Sequence, residues 1–186
     1  MPAPAWGQHL GEPADPRPDP SKFARGFYAQ AEAGVVSFLG EAAEPLGTGP
    51  AFGTRVGYEI FRFLALQVHG GGSTHSIRLD DRPQDGQLLQ ILRGAAELKL
   101  TVPLSRWSLF AHGGGGLARL SSNLLGTAGL TELGVRLSPI YGGGAGVDYH
   151  TASRHFSFGL AVDFQKLPRL NTVGALASSA YIRYTF

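Results

Sequence analysis

The amino-acid sequence predicts an all-β protein, an eight-stranded antiparallel up-and-down transmembrane β-barrel with a disordered N-terminal leader. Three observations carry that reading. From Gly26 onward the chain falls into short alternating segments divided by turn residues, with no sustained helical repeat. The charged fraction is 16%, well below the roughly 25% usual for a water-exposed globular domain. When each segment is split by parity, one of its two faces contains no charged residue at all.

Residues 1–25 contain six prolines among Asp, Glu and Gly, a composition unable to build a core, so they are expected to be a Pro-rich periplasmic leader. The barrel is expected over 26–186, with strands near 26–39, 51–58, 63–70, 88–102, 107–118, 140–149, 156–164 and 173–186. The connections Glu59 to Arg62, Pro103 to Arg106 and His150 to His155 are short, whereas 40–50, 71–87, 119–139 and 165–172 are mostly longer and rich in Gly, Pro, Ser and Asp. Short turns at one end and long loops at the other are expected of an outer-membrane barrel with both termini in the periplasm. No apolar run reaches the roughly 18 residues a membrane-spanning helix needs, so any span must be made of strands.

The uncharged parity holds Phe27, Val35, Val56, Leu66, Leu98, Leu109, Val162 and their neighbours. The other parity holds Glu32, Arg55, Arg93, Glu97, Lys99, Asp148, Asp163 and Arg183, four acids against four bases, with glycines between. A soluble barrel should carry apolar residues inside and polar ones outside. The aromatic positions indicate the reverse. Phe27, Tyr58, Trp107, Tyr149, Phe156, Tyr184 and Phe186 fall on the uncharged face at the short-turn ends, where rings settle at headgroup depth. The eight ionisable residues are therefore expected to form a lumenal ion-pair network in a barrel just wide enough to be filled by side chains.

Phe52-Gly-Thr-Arg-Val-Gly-Tyr58, followed after a short turn by Leu64-Ala-Leu-Gln-Val68, resembles the second hairpin of OmpA-like and OmpW-like small outer-membrane barrels. Phe110-Ala-His-Gly-Gly-Gly-Gly-Leu117 resembles their glycine-rich later strand. Ala180-Tyr-Ile-Arg-Tyr-Thr-Phe186 is similar to the terminal signal read by the barrel-insertion machinery, which the resemblance makes an expected partner through Phe186. The overall layout is also similar to the small outer-membrane barrels of myxobacterial gliding motility. The resemblance implies an outer-membrane location, and it leaves a secretory signal to be accounted for. Met1-Pro-Ala-Pro-Ala-Trp-Gly-Gln has neither the basic start nor the apolar core of one, so either the export signal is missing from this sequence, which the barrel pattern favours, or the protein is not exported.

The formal charge of +2 with no block of Lys or Arg gives no nucleic-acid footprint. The absence of Cys removes disulfides and thiolate metal sites. No catalytic, cofactor-binding or metal site is expected. His69 and His112 lie on the inner parity, away from the lipid a barrel enzyme would attack. His75 with Asp80 and Asp81 falls short of a defined metal-ligand set. Gly113 to Gly116 lacks the Lys-Ser/Thr and helix of a phosphate loop. Leu124, Leu125 and Leu130 make the third long loop unusually apolar, a candidate surface for an envelope protein partner. The expected role is a non-enzymatic anchor or docking component of a cell-envelope complex, with the gliding machinery as one host. The alternatives are a narrow conduit for small apolar molecules and a lipid-modifying enzyme.

Overall fold

The computed structural model describes residues 26–40, 46–76, 88–121, 137–152, 155–168 and 173–186. Eight strands run in chain order: β1 (Phe27–Leu39), β2 (Gly49–Phe61), β3 (Leu64–Ser76), β4 (Leu88–Leu104), β5 (Trp107–Leu120), β6 (Leu137–His150), β7 (Phe156–Leu167) and β8 (Val173–Thr185). Each pairs antiparallel with its neighbours in sequence, and β1 closes on β8 from Tyr28 opposite Thr185 to Leu39 opposite Gly174. Closure leaves no open sheet edge, the condition a strand must meet where no water can bond its backbone.

The eight strands are those expected, but several are longer. β3 continues through Gly70-Gly-Gly-Ser-Thr74, a run whose composition reads as loop, because both of its edges are paired, Gly71 with Gly53 on β2 and with Arg93 on β4. β5 is paired on both edges as far as Arg119 and β7 as far as Lys166, and one further residue of each, Leu120 and Leu167, pairs on one side. Spanning the hydrocarbon takes about 9–11 residues of tilted strand, so strands of 12 to 17 residues project beyond it. At the short-turn end β4 and β5 are joined by a two-residue turn in which Ser105 takes φ 62°, the left-handed region such hairpins use. A register shift between Glu59 and Phe61 kinks the end of β2. The leader 1–25 lies outside the described residues.

The parity split is realised across the wall. Val56, Leu98 and Val162 are 55%, 54% and 50% exposed, while Arg55, Glu97 and Asp163 on the adjacent positions are 2%, 6% and 3% exposed. A soluble carrier would show these numbers exchanged. Among the described strand residues the outward parity carries charge only at Arg119 and Lys166, both at long-loop ends. Between them lies a belt of exposed Leu, Val, Ile, Phe and Ala, the kind of surface acyl chains can cover.

Inside, three glycines make room for rings on the neighbouring strand. Gly57 lies opposite Tyr28, Gly146 opposite Phe110 and Gly159 opposite Tyr181, and a Cβ added at any of the three would collide with the facing ring. An aromatic laid over a cross-strand glycine restores the contact area the glycine lacks and fixes register. Gly57→Val is expected to displace Tyr28 and cost about 1–3 kcal/mol, the usual penalty for overpacking. Urea unfolding in detergent, with heat-dependent gel mobility as the folding control, measures it.

Candidate functional site

Every strand sends at least one polar side chain into the lower and middle lumen. The alternation places Glu32, Arg55, His69, Glu97, His112, Asp148, Asp163 and Arg183, one each from β1 to β8, on the enclosed face, all no more than 8% exposed. Two clusters result.

Arg55 is the centre of the first. Its guanidinium meets three carboxylates: Glu32 in a close contact, Asp163 at 3.2 Å and Glu97 at 3.4 Å. His69 is held between two of the same acids, Nε2 2.8 Å from Glu32 and Nδ1 3.4 Å from Glu97. His112 bonds Asp163 on the other side. Gln67 donates to Glu97 at 2.5 Å and accepts from the Tyr28 hydroxyl at 2.6 Å. Charges removed from water are tolerable only with such pairing.

Asp148 is the centre of the second cluster, nearer the short-turn mouth. Lys99 and Arg183 both approach it at 3.1 Å, and the Tyr181 hydroxyl donates to it. Arg183 also donates to Gln30 at 3.2 Å, and Gln30 donates to Glu32 at 3.3 Å, which links the two clusters. Rings complete the cage: Lys99 Nζ stands 4.0 Å from the Phe110 ring centre, and the Arg183 guanidinium 4.9 Å from that of Tyr28.

Seven of the eight expected network residues thus sit in these two clusters. Arg93 stands apart and donates to the amide oxygen of Gln165 at 2.9 Å. Sequence reasoning missed what lies beyond it. Toward the long loops the inward positions turn aliphatic, with Val36, Phe38, Leu89, Ile91, Ile140 and Leu167 in one buried cluster. The lumen is therefore stacked, ionic below and oily above. His75, read as a loop residue, belongs to β3 within this upper layer. It is wholly buried, its Nε2 2.9 Å from Ser73 Oγ and its Nδ1 3.0 Å from the Gly47 carbonyl oxygen, with its ring edge-on to Phe38. Asp80 and Asp81 lie outside the described residues. Among the described residues no group of three or more His, Asp or Glu is placed to hold a metal ion.

The nearest approach to a hydrolytic arrangement is at the short-turn mouth, where Ser108 Oγ lies 3.0 Å from His150 Nε2 and 3.5 Å from Asp148 Oδ2. A working triad has the acid orient the imidazole and the hydroxyl reach substrate. Here the acid is committed to Lys99, Arg183 and Tyr181, and Ser108 is 1% exposed.

On the outer face the aromatic positions cluster as pairs. Phe27 and Tyr58 have ring centres 4.9 Å apart, as do Trp107 and Tyr149, while Tyr184 touches both Phe156 and Phe186 at 5.0 Å. Phe61 and Phe63, which sequence reasoning assigned to no face, stack at 5.6 Å beside them. Phe52, Tyr141 and Phe164 are exposed nearer the opposite rim. Leu124, Leu125 and Leu130 lie outside the described residues.

Removing the centre of the first cluster should be costly. Arg55→Ala leaves three enclosed carboxylates facing one another, and a loss of about 3–5 kcal/mol is expected in urea unfolding. Arg93→Met, at a site whose one described hydrogen bond is to a neutral amide, is expected to cost clearly less.

No protein-family profile and no curated sequence matches the chain. Solved structures do. Neisserial surface protein A superposes with a TM-score of 0.66 at 17% identity, covering 87% of this chain and 97% of that one. The attachment invasion locus protein Ail of Yersinia pestis, in complex with the heparin analogue sucrose octasulfate, gives 0.57 at 14% identity over 88% and 100% of the two chains. The N-terminal β-barrel domain of Pseudomonas aeruginosa OprF gives 0.55 at 12% identity over 86% and 97%. The outer-membrane enzyme PagL gives 0.52 at 15% identity over 84% and 99%. Identities this low speak to architecture alone, and the architecture is shared throughout: this chain has the fold of the small eight-stranded outer-membrane β-barrels.

Proposed function

We propose that this protein resides in an outer membrane and serves, without enzymatic activity of its own, as an anchor or docking component of a cell-envelope complex. The observation that carries the reading is the filled lumen. The ring of paired charges around Arg55 and Asp148, closed above by the aliphatic layer, leaves the barrel little to offer as a passage, so its useful surfaces are its rims and loops. On the acyl-chain face the described residues present no histidine and no acid at mid-height, which favours a binding role over lipid chemistry.

In this placement the short turns and both ends of the barrel, Gly26 and Phe186, face the periplasm, and the Pro-rich composition of 1–25 suits a tether on that side. The third long loop, with Leu124, Leu125 and Leu130, lies outside the described residues, and its apolar sequence is what makes it the partner surface of this reading. The envelope machinery the layout suggests first is a gliding-motility complex. Deletion of 121–134 is expected to abolish partner retention in mild-detergent purification and, in a gliding host, movement, while heat-dependent gel mobility stays that of a folded barrel. Undiminished retention would remove the loop from the account.

Two rival readings give different results in the same preparation. A conduit would produce single-channel steps or uptake of small apolar solutes in liposomes, where a filled lumen should give neither. A lipid-modifying enzyme would alter the lipid profile of expressing cells in a way that His69→Ala or His112→Ala abolishes. Orientation is read from Ala152→Cys, an exposed position in the β6–β7 turn of a chain without other cysteines. A membrane-impermeant maleimide should label it only after the outer membrane is opened.

A further inference from the structure

The hydrogen bond from Arg93 to the Gln165 amide, 2.9 Å long, links two small cavities, Arg93 lining one and Gln165 the other. Both lie where the ionic layer meets the aliphatic one. The first is lined by Glu32, Arg93 and Ser179 together with Ala51 and Ala177 of the aliphatic cluster. The second is lined by Glu97, His112, Asp163 and Gln165 together with Ile140 of the same cluster. Each leaves about 10 Å³ for the centre of a water-sized occupant. Three buried atoms of these lining side chains are unmatched. Arg93 Nε and Ser179 Oγ in the first cavity, and His112 Nδ1 in the second, have no hydrogen-bond partner among the described residues. An orphaned buried donor is costly, and most of all on a charged group.

We propose that each cavity is a binding site for one ordered water molecule, and that the two waters complete the hydrogen bonding of the ionic network at its upper edge. Size sets the first limit, since space of roughly 10–15 Å³ takes one water and nothing larger. Chemistry sets the second. In the first cavity an anion would meet the Glu32 carboxylate and a cation would meet the Arg93 guanidinium, whereas water accepts from the one and donates to the other. Glu32 keeps room for that bond: Oε2 accepts from Arg55 and Gln30 and Oε1 lies 2.8 Å from His69 Nε2, while an ionised carboxylate has about four acceptor positions. In the second cavity His112 Nε2 is bonded to Asp163, and because an ionised carboxylate only accepts, that nitrogen carries a proton. Nδ1 is left for water, which donates to a bare nitrogen or accepts from a protonated one. A cation is the poorer occupant, because Glu97 and Asp163 are each already in contact with Arg55 and a histidine.

Crystals of the full chain folded in detergent, diffracting well enough to show ordered water and collected with and without a bromide soak, test the two sites. Density for one water within hydrogen-bond distance of both Arg93 Nε and Ser179 Oγ is expected, with a second water on His112 Nδ1 and no anomalous bromine signal at either. Arg93→Met combined with Ser179→Ala, in a chain that keeps folded gel mobility, should lose the first water and retain the second. A dry cavity in the parent chain would overturn the site concerned. Persistence of the first water in the double variant would overturn its assignment to Arg93 and Ser179, and a bromine peak would overturn water in favour of an anion.

Discussion

The rest of the structure depends on a problem of enclosure. A closed wall of strands leaves the ionisable side chains of the inner parity with no bulk water and no freedom to turn away, so they are satisfied inside, most by counter-charges and Arg93 by the Gln165 amide. Arg55 satisfies this by facing three carboxylates from three different strands, and Asp148 by gathering Lys99, Arg183 and Tyr181. The strands are thereby tied across the lumen as well as along their backbones. A slip of register by one residue would carry every one of these charges to the lipid side, so the same contacts that hold the barrel also specify it. Replacement of the clusters by apolar groups of matched shape would keep the lumen full but remove that penalty for slippage.

Filling the tube also bears on what the protein is for. The lower lumen is occupied by paired charge and the upper by aliphatic side chains, and the change falls near Arg93 and Gln165. A passage for solutes would have to break both layers. What remains accessible among the described residues is the outside of the molecule: an apolar belt and an aromatic rim at the short-turn end. The proposed anchor or docking role would use those surfaces and leave the interior as scaffold.

Much of this was legible in the sequence because alternation in a half-buried strand is absolute. Glu97-Leu98-Lys99-Leu100 can face only one way once one side is charged, and Tyr58, Trp107, Tyr184 and Phe186 at the segment ends indicate which side is outside. The signal fades where both parities are apolar. Val35-Val36 and Leu88-Leu89-Gln90-Ile91-Leu92 carry no contrast between faces, so the aliphatic upper layer could not be read from them. Gly70-Gly-Gly-Ser-Thr74 has turn chemistry and became strand because its neighbours supply hydrogen bonds on both sides, which only the closed sheet reveals. That in turn moved His75 from a supposed loop into the buried upper layer. The ring-over-glycine pairs of Tyr28 with Gly57 and Tyr181 with Gly159 needed the register before they could be seen.

The claim on which the account stands is that the uncharged face touches acyl chains and the charged face is sealed. Tryptophan fluorescence in vesicles of lipids brominated along the chain tests it directly, in a background with Trp6 and Trp107 replaced by Phe. Leu98→Trp, on the outer face at mid-height, should be strongly quenched by the bromines, and Phe110→Trp, on the lumenal face, should be nearly untouched. Strong quenching at position 110 together with protection at position 98 would mean that the two faces have been exchanged.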